Sequence, residues 1–411
     1  MLRHKGFFTH KREAASCTNA NQKHKTKGNT MKNYLESKPR YEVLDGLRGV
    51  AAIVVVLYHL LESYPTGLLK TYISHGYLAV DFFFALSGFV IGYAYDDRWD
   101  RMTLKSFFKR RIVRLHPMVI FGAIVGVCFF YYTGDFEMFG KVDDAIWWMV
   151  LLQTALMMLM IPLPPSMDIR GWGELTSING PVWTLMFEYV ANIFYALVLR
   201  HLPKLALGIL AACAALLTAD VTLRLNIFGL LESDWNSYSL VGGFIFNPEH
   251  VYIGYVRLLY PFLSGLLISR IGKKFHIPNG FWITSLILFA SLNVPVLGGE
   301  TKIIDGAYQL ICVLVIFPIV LMLGAGSTIK GKKSTAICKF LGDISFPLYI
   351  THYPLAYMHT SWVHRHLDAP LGTHILASIG LFTIAIFIAW AAFKLYDTPV
   401  RAWLTEHWLK K

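Results

Sequence analysis

Eleven blocks of apolar residues, each 17 or more long, run through this 411-residue chain at roughly 44–63, 77–95, 115–133, 145–161, 182–200, 204–221, 251–270, 281–298, 305–326, 342–361 and 372–394. A helix rising about 1.5 Å per residue needs about 20 such residues to cross about 30 Å of hydrocarbon. The blocks therefore predict an all-α, polytopic integral membrane protein. Charged residues make up 16% of the chain, well below the roughly one quarter of soluble domains, and this excludes a soluble enzyme.

The formal net charge of +12 would suggest nucleic acid as a partner of a soluble protein, but in a membrane protein the position of the charges reports topology. Thirty of the 38 Lys and Arg fall in six segments: 1–43, 96–114, 200–204, 270–274, 327–341 and 394–411. If all eleven blocks crossed, the first two segments would face one side and the last four the other. Block 145–161 is the shortest and lies between Asp143, Asp144 and the Pro162, Pro164, Pro165 cluster. Reading it as a re-entrant or interfacial helix puts all six basic segments on the cytoplasmic side. The expected topology is ten crossings with both termini cytoplasmic. Residues 1–40 read as a basic tail, 41–403 as the membrane domain and 404–411 as a second cytoplasmic tail, with Met31 an alternative start. No cleavable signal peptide is readable. The five cysteines are scattered singly, so neither a disulfide framework nor a metal site is expected.

Titratable groups at membrane depth are costly and mark function. In the first block, Arg48 and His59 are eleven residues apart, which at about 100° per residue places them on one helix face about 16 Å apart along the axis. Asp45 shares that stripe, three residues before Arg48. A histidine there can act as base or nucleophile, or simply as an interhelical contact. The second block carries Asp81 near its outer end and Ser87-Gly88 near its middle. Small residues at such a place ordinarily serve close helix packing. Arg111 and Arg114, one helical turn apart before the third span, suit phosphate binding or contact with anionic lipid. Glu188 lies about two turns into the helix opened by Gly180-Pro181, at about the expected depth of His59, where it could orient an imidazole or pair with Arg257. In the tenth block Tyr349 and His352 share a face between Pro347 and Pro354. The long outer loops, about 134–181 and 222–250, are rich in Trp, Gly, Asn and Tyr, suited to carbohydrate or to interfacial anchoring.

These residues, in order, resemble acyltransferase family 3, the integral-membrane O-acyltransferases, over about 41–403. The resemblance rests on Arg48-x10-His59, on A-V-D-F-F-F-A-L-S-G-F around Asp81, on Arg111-x-x-Arg114, on W-T-L-x-x-E from Trp183 to Glu188, on Arg257 ahead of F-L-S-G-L, and on S-F-x-x-Y-I-x-H ending at His352. Thr184, Phe346 and Asp397 depart mildly from the family pattern. The chain looks like the stand-alone membrane form, without the extracytoplasmic hydrolase-like domain of some relatives. The resemblance implies transfer of an acyl group, usually acetyl, from cytoplasmic acetyl-CoA to a hydroxyl of a cell-envelope or exported glycan in the bacterial inner membrane. It implies no permanently bound cofactor and no metal. The implied partners are acyl-CoA, a free, polymeric or lipid-linked carbohydrate acceptor and membrane lipid, but not nucleic acid; a homodimer is left open. His59 is expected as base or transient acyl carrier, Glu188 or Asp81 as its orienter, and Arg48 or Arg257 as electrostatic support. Arg111 and Arg114 are expected at the CoA phosphates, with Asp45, Ser87, Trp183, Tyr349 and His352 in substrate binding or structural support. A different class, a proton-coupled carrier or flippase for a lipid-linked sugar, would use Asp81, His59 and Glu188 as a proton relay.

Overall fold

The computed structural model describes residues 38–64, 74–134, 139–272, 275–299 and 301–409, and the chain from Tyr41 onward packs as one unit. Met31 and nearly all of the basic tail lie outside the described residues, as do Lys273 and Lys274 of the fourth basic segment. Each of the eleven apolar blocks contains a helix. They are α1 (Glu42–Leu61), α2 (Ala79–Tyr95), α3 (Leu104–Phe129), α4 (Trp147–Met158), α5 (Trp183–Leu197), α6 (Lys204–Thr222), α7 (Pro248–Ile271), α8 (Phe281–Leu292), α9 (Ile303–Gly326), α10 (Lys332–Arg365) and α11 (Leu371–Ala391). A π-helical turn, Ala392–Asp397, joins α11 to α12 (Thr398–Leu404), and a second such turn, Thr405–Leu409, follows it. Among the described residues no strand forms, only one antiparallel bridge between Glu174 and Ile245.

Helix boundaries follow the local chemistry. Thr103 caps α3 by accepting from the Ser106 N–H at 3.2 Å, and Asn247 caps α7 by accepting from the His250 N–H at 2.8 Å, just ahead of Pro248 at the first helical position. Gly272, in the left-handed region with φ of 72°, ends α7. Arg270 in its last turn donates to the Leu199 and Leu202 carbonyls past the end of α5, at 3.0 and 2.9 Å, while pairing with Asp96 at 2.7 Å. It ties the end of α7 to the turn after α5 and to Asp96 at the end of α2.

The packing is that of a membrane protein. Large apolar residues such as Leu376, Ile379, Phe387 and Trp390 on α11 point outward, whereas Ser345, Tyr349, Thr351 and His352 of α10 are buried. Seven of the helices are long and apolar enough to cross a bilayer: α1, α2, α3, α6, α7, α9 and α11, counting the turns that extend α2, α3 and α11. α10, at 34 residues, is long enough but polar. α5 has 15 residues and α8 has 12. Ten crossings require these three to span as well.

α4 has 12 residues, about 18 Å of helix, too short to cross about 30 Å alone. Lys141, before it, meets the Asp168 carboxylate after it at 3.5 Å. Arg170, also after it, donates to Thr133, before it, at 2.8 Å. The chain thus enters and leaves α4 at one end of the bundle.

Two crossings position the site, and glycines allow both. α1 lies against α10, where Gly49 faces the backbone of Leu341 and Gly342 faces Asp45. α2 lies against α7, where Gly88 sits on the Phe262 carbonyl and Gly265 on the Ala85 carbonyl. A Cβ at any of these would drive the helices apart, the small-residue contact that membrane helices use in place of a hydrophobic driving force.

Candidate active site

α1 carries both ends of the site. At its N-terminal end, Arg48 pairs with Asp45 at 3.1 Å, as their spacing of three predicts. It also donates to the Ser345 hydroxyl at 2.8 Å and the Gly342 carbonyl at 3.3 Å of α10. Arg114 of α3 is exposed, within electrostatic range of Arg48 and Arg111. Arg111 is buried and its guanidinium lies 2.7 Å from the Glu188 carboxylate, which also accepts from Ser87 at 3.1 Å. The two arginines of the Arg-x-x-Arg motif are therefore unlike: one is already neutralised and the other is free of a carboxylate at hydrogen-bond distance.

At the C-terminal end of α1, His59 sits in the last turn with Nδ1 against the carboxylate of Glu62, three residues on. A carboxylate accepts only, so the ring proton belongs on Nδ1 and the Nε2 lone pair is left to act as a base. The ring stacks on His352 at 5.3 Å and meets the edge of Tyr353 at 4.7 Å. His352 in turn donates its Nδ1 proton to the carbonyls of Tyr349 and Leu348, at 2.8 and 3.1 Å. Tyr349 shares a hydroxyl contact of 2.8 Å with Thr184. Thus Tyr349 and His352 do share a face, and that face meets the start of α5 and the end of α1.

The expected partnerships of the carboxylates differ. Glu188 was expected beside His59 or Arg257, and Asp81 was the other expected orienter of His59. In the structure the carboxylate on His59 is Glu62, Glu188 belongs to Arg111 and Ser87, and Asp81 belongs to Arg257 at 2.8 Å. The reason is axial position. Trp183, at the start of α5, is level with Arg257, 5.3 Å from its guanidinium. Glu188 lies five residues farther, about 7.5 Å along α5, opposite Ser87 in the middle of α2 and away from the His59 end. Arg257 is fully committed, donating also to the Tyr77 carbonyl at 2.7 Å and the Gly242 carbonyl at 3.2 Å. Asp81 and Arg257 are both buried, and the pair ties α2 and α7 to the loop before α7. Of the expected residues, Arg48, Asp45, Arg111, Arg114, Ser87 and Glu188 gather toward the N-terminal end of α1, and His59, Tyr349 and His352 toward the other.

Beside His59 lies a buried segment that sequence reasoning passed over. Between α4 and α5, Asn179 donates to the Ile350 carbonyl at 2.8 Å and the Gly180 N–H to the Tyr357 hydroxyl at 3.1 Å. The Tyr357 hydroxyl donates to Glu174, and the Arg170 guanidinium lies 3.7 Å over the Tyr357 ring. Tyr353, which touches His59, also packs on Tyr357 at 4.5 Å. Burial pushes the Glu174 carboxyl up to about 7, against the opposing pull of Tyr357 and Arg170. Burial acts upward on Asp168 too, but N–H groups of Arg170, Gly171 and Gly173 and the Ser177 hydroxyl outweigh it and hold that carboxyl below its usual range. No periodicity marks this segment. Glu62, by contrast, had a legible signal in its spacing of three from His59. Among the described residues no group of three or more His, Cys, Asp or Glu gathers as a metal cluster.

The comparison with known proteins decides the family. A family model described as an acyltransferase domain, that of acyltransferase family 3, matches residues 41–394. The chain belongs to acyltransferase family 3. A Staphylococcus aureus protein provisionally named an O-acetyltransferase is 24% identical over 92% of this chain and 59% of its own length. The peptidoglycan O-acetyltransferase OatA of Listeria monocytogenes is 24% identical over 87% of this chain and 55% of its own. Protein 2 of the picA locus of Rhizobium radiobacter is 33% identical over 38% of this chain and 81% of its own. The chain thus spans a little over half the length of the first two relatives. No solved structure matches it.

Proposed function

We propose that this protein transfers an acyl group, acetyl by preference, from acyl-CoA bound at the arginine end of α1 to a hydroxyl of a cell-envelope or exported glycan presented at the His59 end. The observation that carries this reading is His59 itself: a membrane-embedded imidazole held by a carboxylate on Nδ1, with Nε2 left as a base, on the same helix as Arg48, which lies within electrostatic range of Arg114 of α3. In the proposed reaction Nε2 takes the proton of the acceptor hydroxyl while its oxygen attacks the thioester carbonyl carbon. The carbon–sulfur bond then breaks, and the imidazolium returns the proton to the departing thiolate. Glu62 fixes the tautomer and stabilises the imidazolium, the role of the third member of a hydrolytic triad.

Arg114 and Arg48 hold the CoA phosphates in this scheme, and Glu188 with Ser87 holds Arg111 in place behind them. The donor then enters from the cytoplasmic side of the inner membrane, with both termini cytoplasmic, in keeping with the distribution of Lys and Arg. The name of the Listeria relative assigns it peptidoglycan as acceptor. For this chain that supports a carbohydrate hydroxyl, free, polymeric or lipid-linked.

The test is purified protein with radiolabelled acetyl-CoA and a glycan extract. His59→Ala should abolish labelling of glycan, because a base contributes a factor of about 100 or more. Arg114→Ala should raise the KM for acetyl-CoA more than Arg111→Ala does. Substantial turnover by a stable His59→Ala protein overturns the mechanism. Wild-type protein that moves no label from acetyl-CoA overturns the donor assignment and leaves a carrier as the better reading.

A further inference from the structure

His352 offers a second acceptor nitrogen next to the first. Its Nδ1 proton is spent on the Tyr349 and Leu348 carbonyls of its own helix. The two ring nitrogens lie on different edges of an imidazole, so with Nδ1 turned to the α10 backbone, Nε2 is directed away from it. That nitrogen is buried and has no hydrogen-bond partner among the protein atoms, in a residue only 1% exposed. An acceptor buried without a donor is disfavoured, and no neighbouring group donates to it. The Tyr349 hydroxyl is engaged with Thr184 and the Pro181 carbonyl, and the other close rings are His59, whose Nδ1 proton goes to Glu62, and Tyr353.

The two stacked imidazoles therefore each carry a lone-pair nitrogen that the protein does not use. A ligand matching two adjacent acceptors carries two adjacent donors. Sugars supply that arrangement wherever a hydroxyl has a hydroxyl or an amide N–H on the neighbouring ring carbon.

We propose that His352 Nε2 selects the acceptor by taking a hydrogen bond from the hydroxyl or amide N–H adjacent to the hydroxyl that His59 deprotonates. The acceptor class is thus a pyranose with vicinal donors. This rests on the acyl-transfer reading above and deepens it. His352 performs no covalent step; it sets position and specificity. A site built around a polar group discriminates strongly against an analogue that lacks the matching group, because its own buried atom is then left unpaired.

The experiment uses the full chain in lipid nanodiscs with labelled acetyl-CoA, and as acceptors methyl glucoside, methyl N-acetylglucosaminide and their monodeoxy analogues. Wild-type protein should lose tenfold or more in kcat/KM on removal of one particular hydroxyl or amide next to the acylated position. His352→Phe, which keeps the ring and removes the acceptor, should lower turnover of the parent sugar to that of the deoxy analogue, with the KM for acetyl-CoA unchanged. His352→Gln, which restores an acceptor oxygen, should recover part of the difference. The proposal is overturned if no neighbouring group matters to the wild type, a result that needs no variant. It is equally overturned if His352→Phe slows parent and analogue alike, the mark of a structural role. A wild type that acylates no sugar in the panel instead overturns the carbohydrate acceptor on which this inference rests.

Discussion

At the scale of the residue, the site turns on which carboxylate serves which partner. Glu62 on His59 and Glu188 on Arg111 are both carboxylates inside a membrane protein, yet their partners give them different work. Glu62→Gln retains an oxygen for Nδ1 but removes the charge that stabilises the imidazolium. Its expected effect is a fall in kcat of tenfold or more with the KM for acetyl-CoA unchanged. Glu188→Gln frees Arg111 and disturbs the arginine end, so its effect should fall on the donor KM. Steady-state kinetics of the two variants, side by side, check the assignment; a larger kcat loss in Glu188→Gln would reverse it. Arg48 and His59 were legible in sequence because a polar pair inside an apolar block has only one helical geometry. Glu62 was passed over because it lies at the very end of the apolar block, past the last helical residue, where a charge looks unremarkable. The partners of Glu188 and Asp81 were not legible, since relative height between two helices depends on the tertiary packing of both.

At the scale of the element, the segment between α4 and α5 behaves as a packed part of the bundle although its regular structure is limited to two short 3-10 turns and one bridge. Its order comes from side chains: Asp168 gathers backbone N–H groups, Arg170 lies among Phe130, Phe139 and Tyr357, and Glu174 is buried against Tyr357. None of this has a period, and so none could be read from the sequence. Glu174 makes its packing depend on pH. Its folded pKa of about 7 lies above its ordinary value of 4.5, so the folded state holds its proton more tightly than the unfolded state. Stability is then fully present below about pH 4.5 and is lost as pH rises through about 7. Tyr357, Arg170, Asp168 and Glu62 are the groups that face it electrostatically. Protease resistance of this segment should accordingly be greater at pH 6 than at pH 8 in the wild type. Glu174→Gln, which imitates the protonated acid, should flatten that difference; a difference that persists in the variant would place its cause elsewhere.

At the scale of the whole molecule, the eleven apolar blocks were legible because a bilayer imposes length and apolarity on whatever crosses it, and each block is a helix. Which helices cross is a harder matter, since α5 and α8 are short, α10 is polar, and their neighbours supply what they lack. α4 is where geometry and charge agree. Its outward face carries Trp147, Trp148, Leu151 and Leu152, all exposed, while Gln153 on its inner side donates to the Met167 carbonyl that follows it. The contacts of Lys141 with Asp168 and of Arg170 with Thr133 hold its two flanks together. A helix whose flanks meet cannot have crossed, and one non-crossing block is what brings all six basic segments to one side. In a chain freed of its own cysteines, single cysteines at the exposed positions Asp144 and Ser166 should therefore react together with an impermeant maleimide added outside intact cells. Cysteines at Lys105 and Lys333, in basic segments, should react only after the membrane is opened. Labelling of Asp144→Cys and Ser166→Cys from opposite sides would make α4 a crossing helix. It would also split the basic segments between the two faces, and with them the arginine end assigned to acyl-CoA would lose its cytoplasmic address.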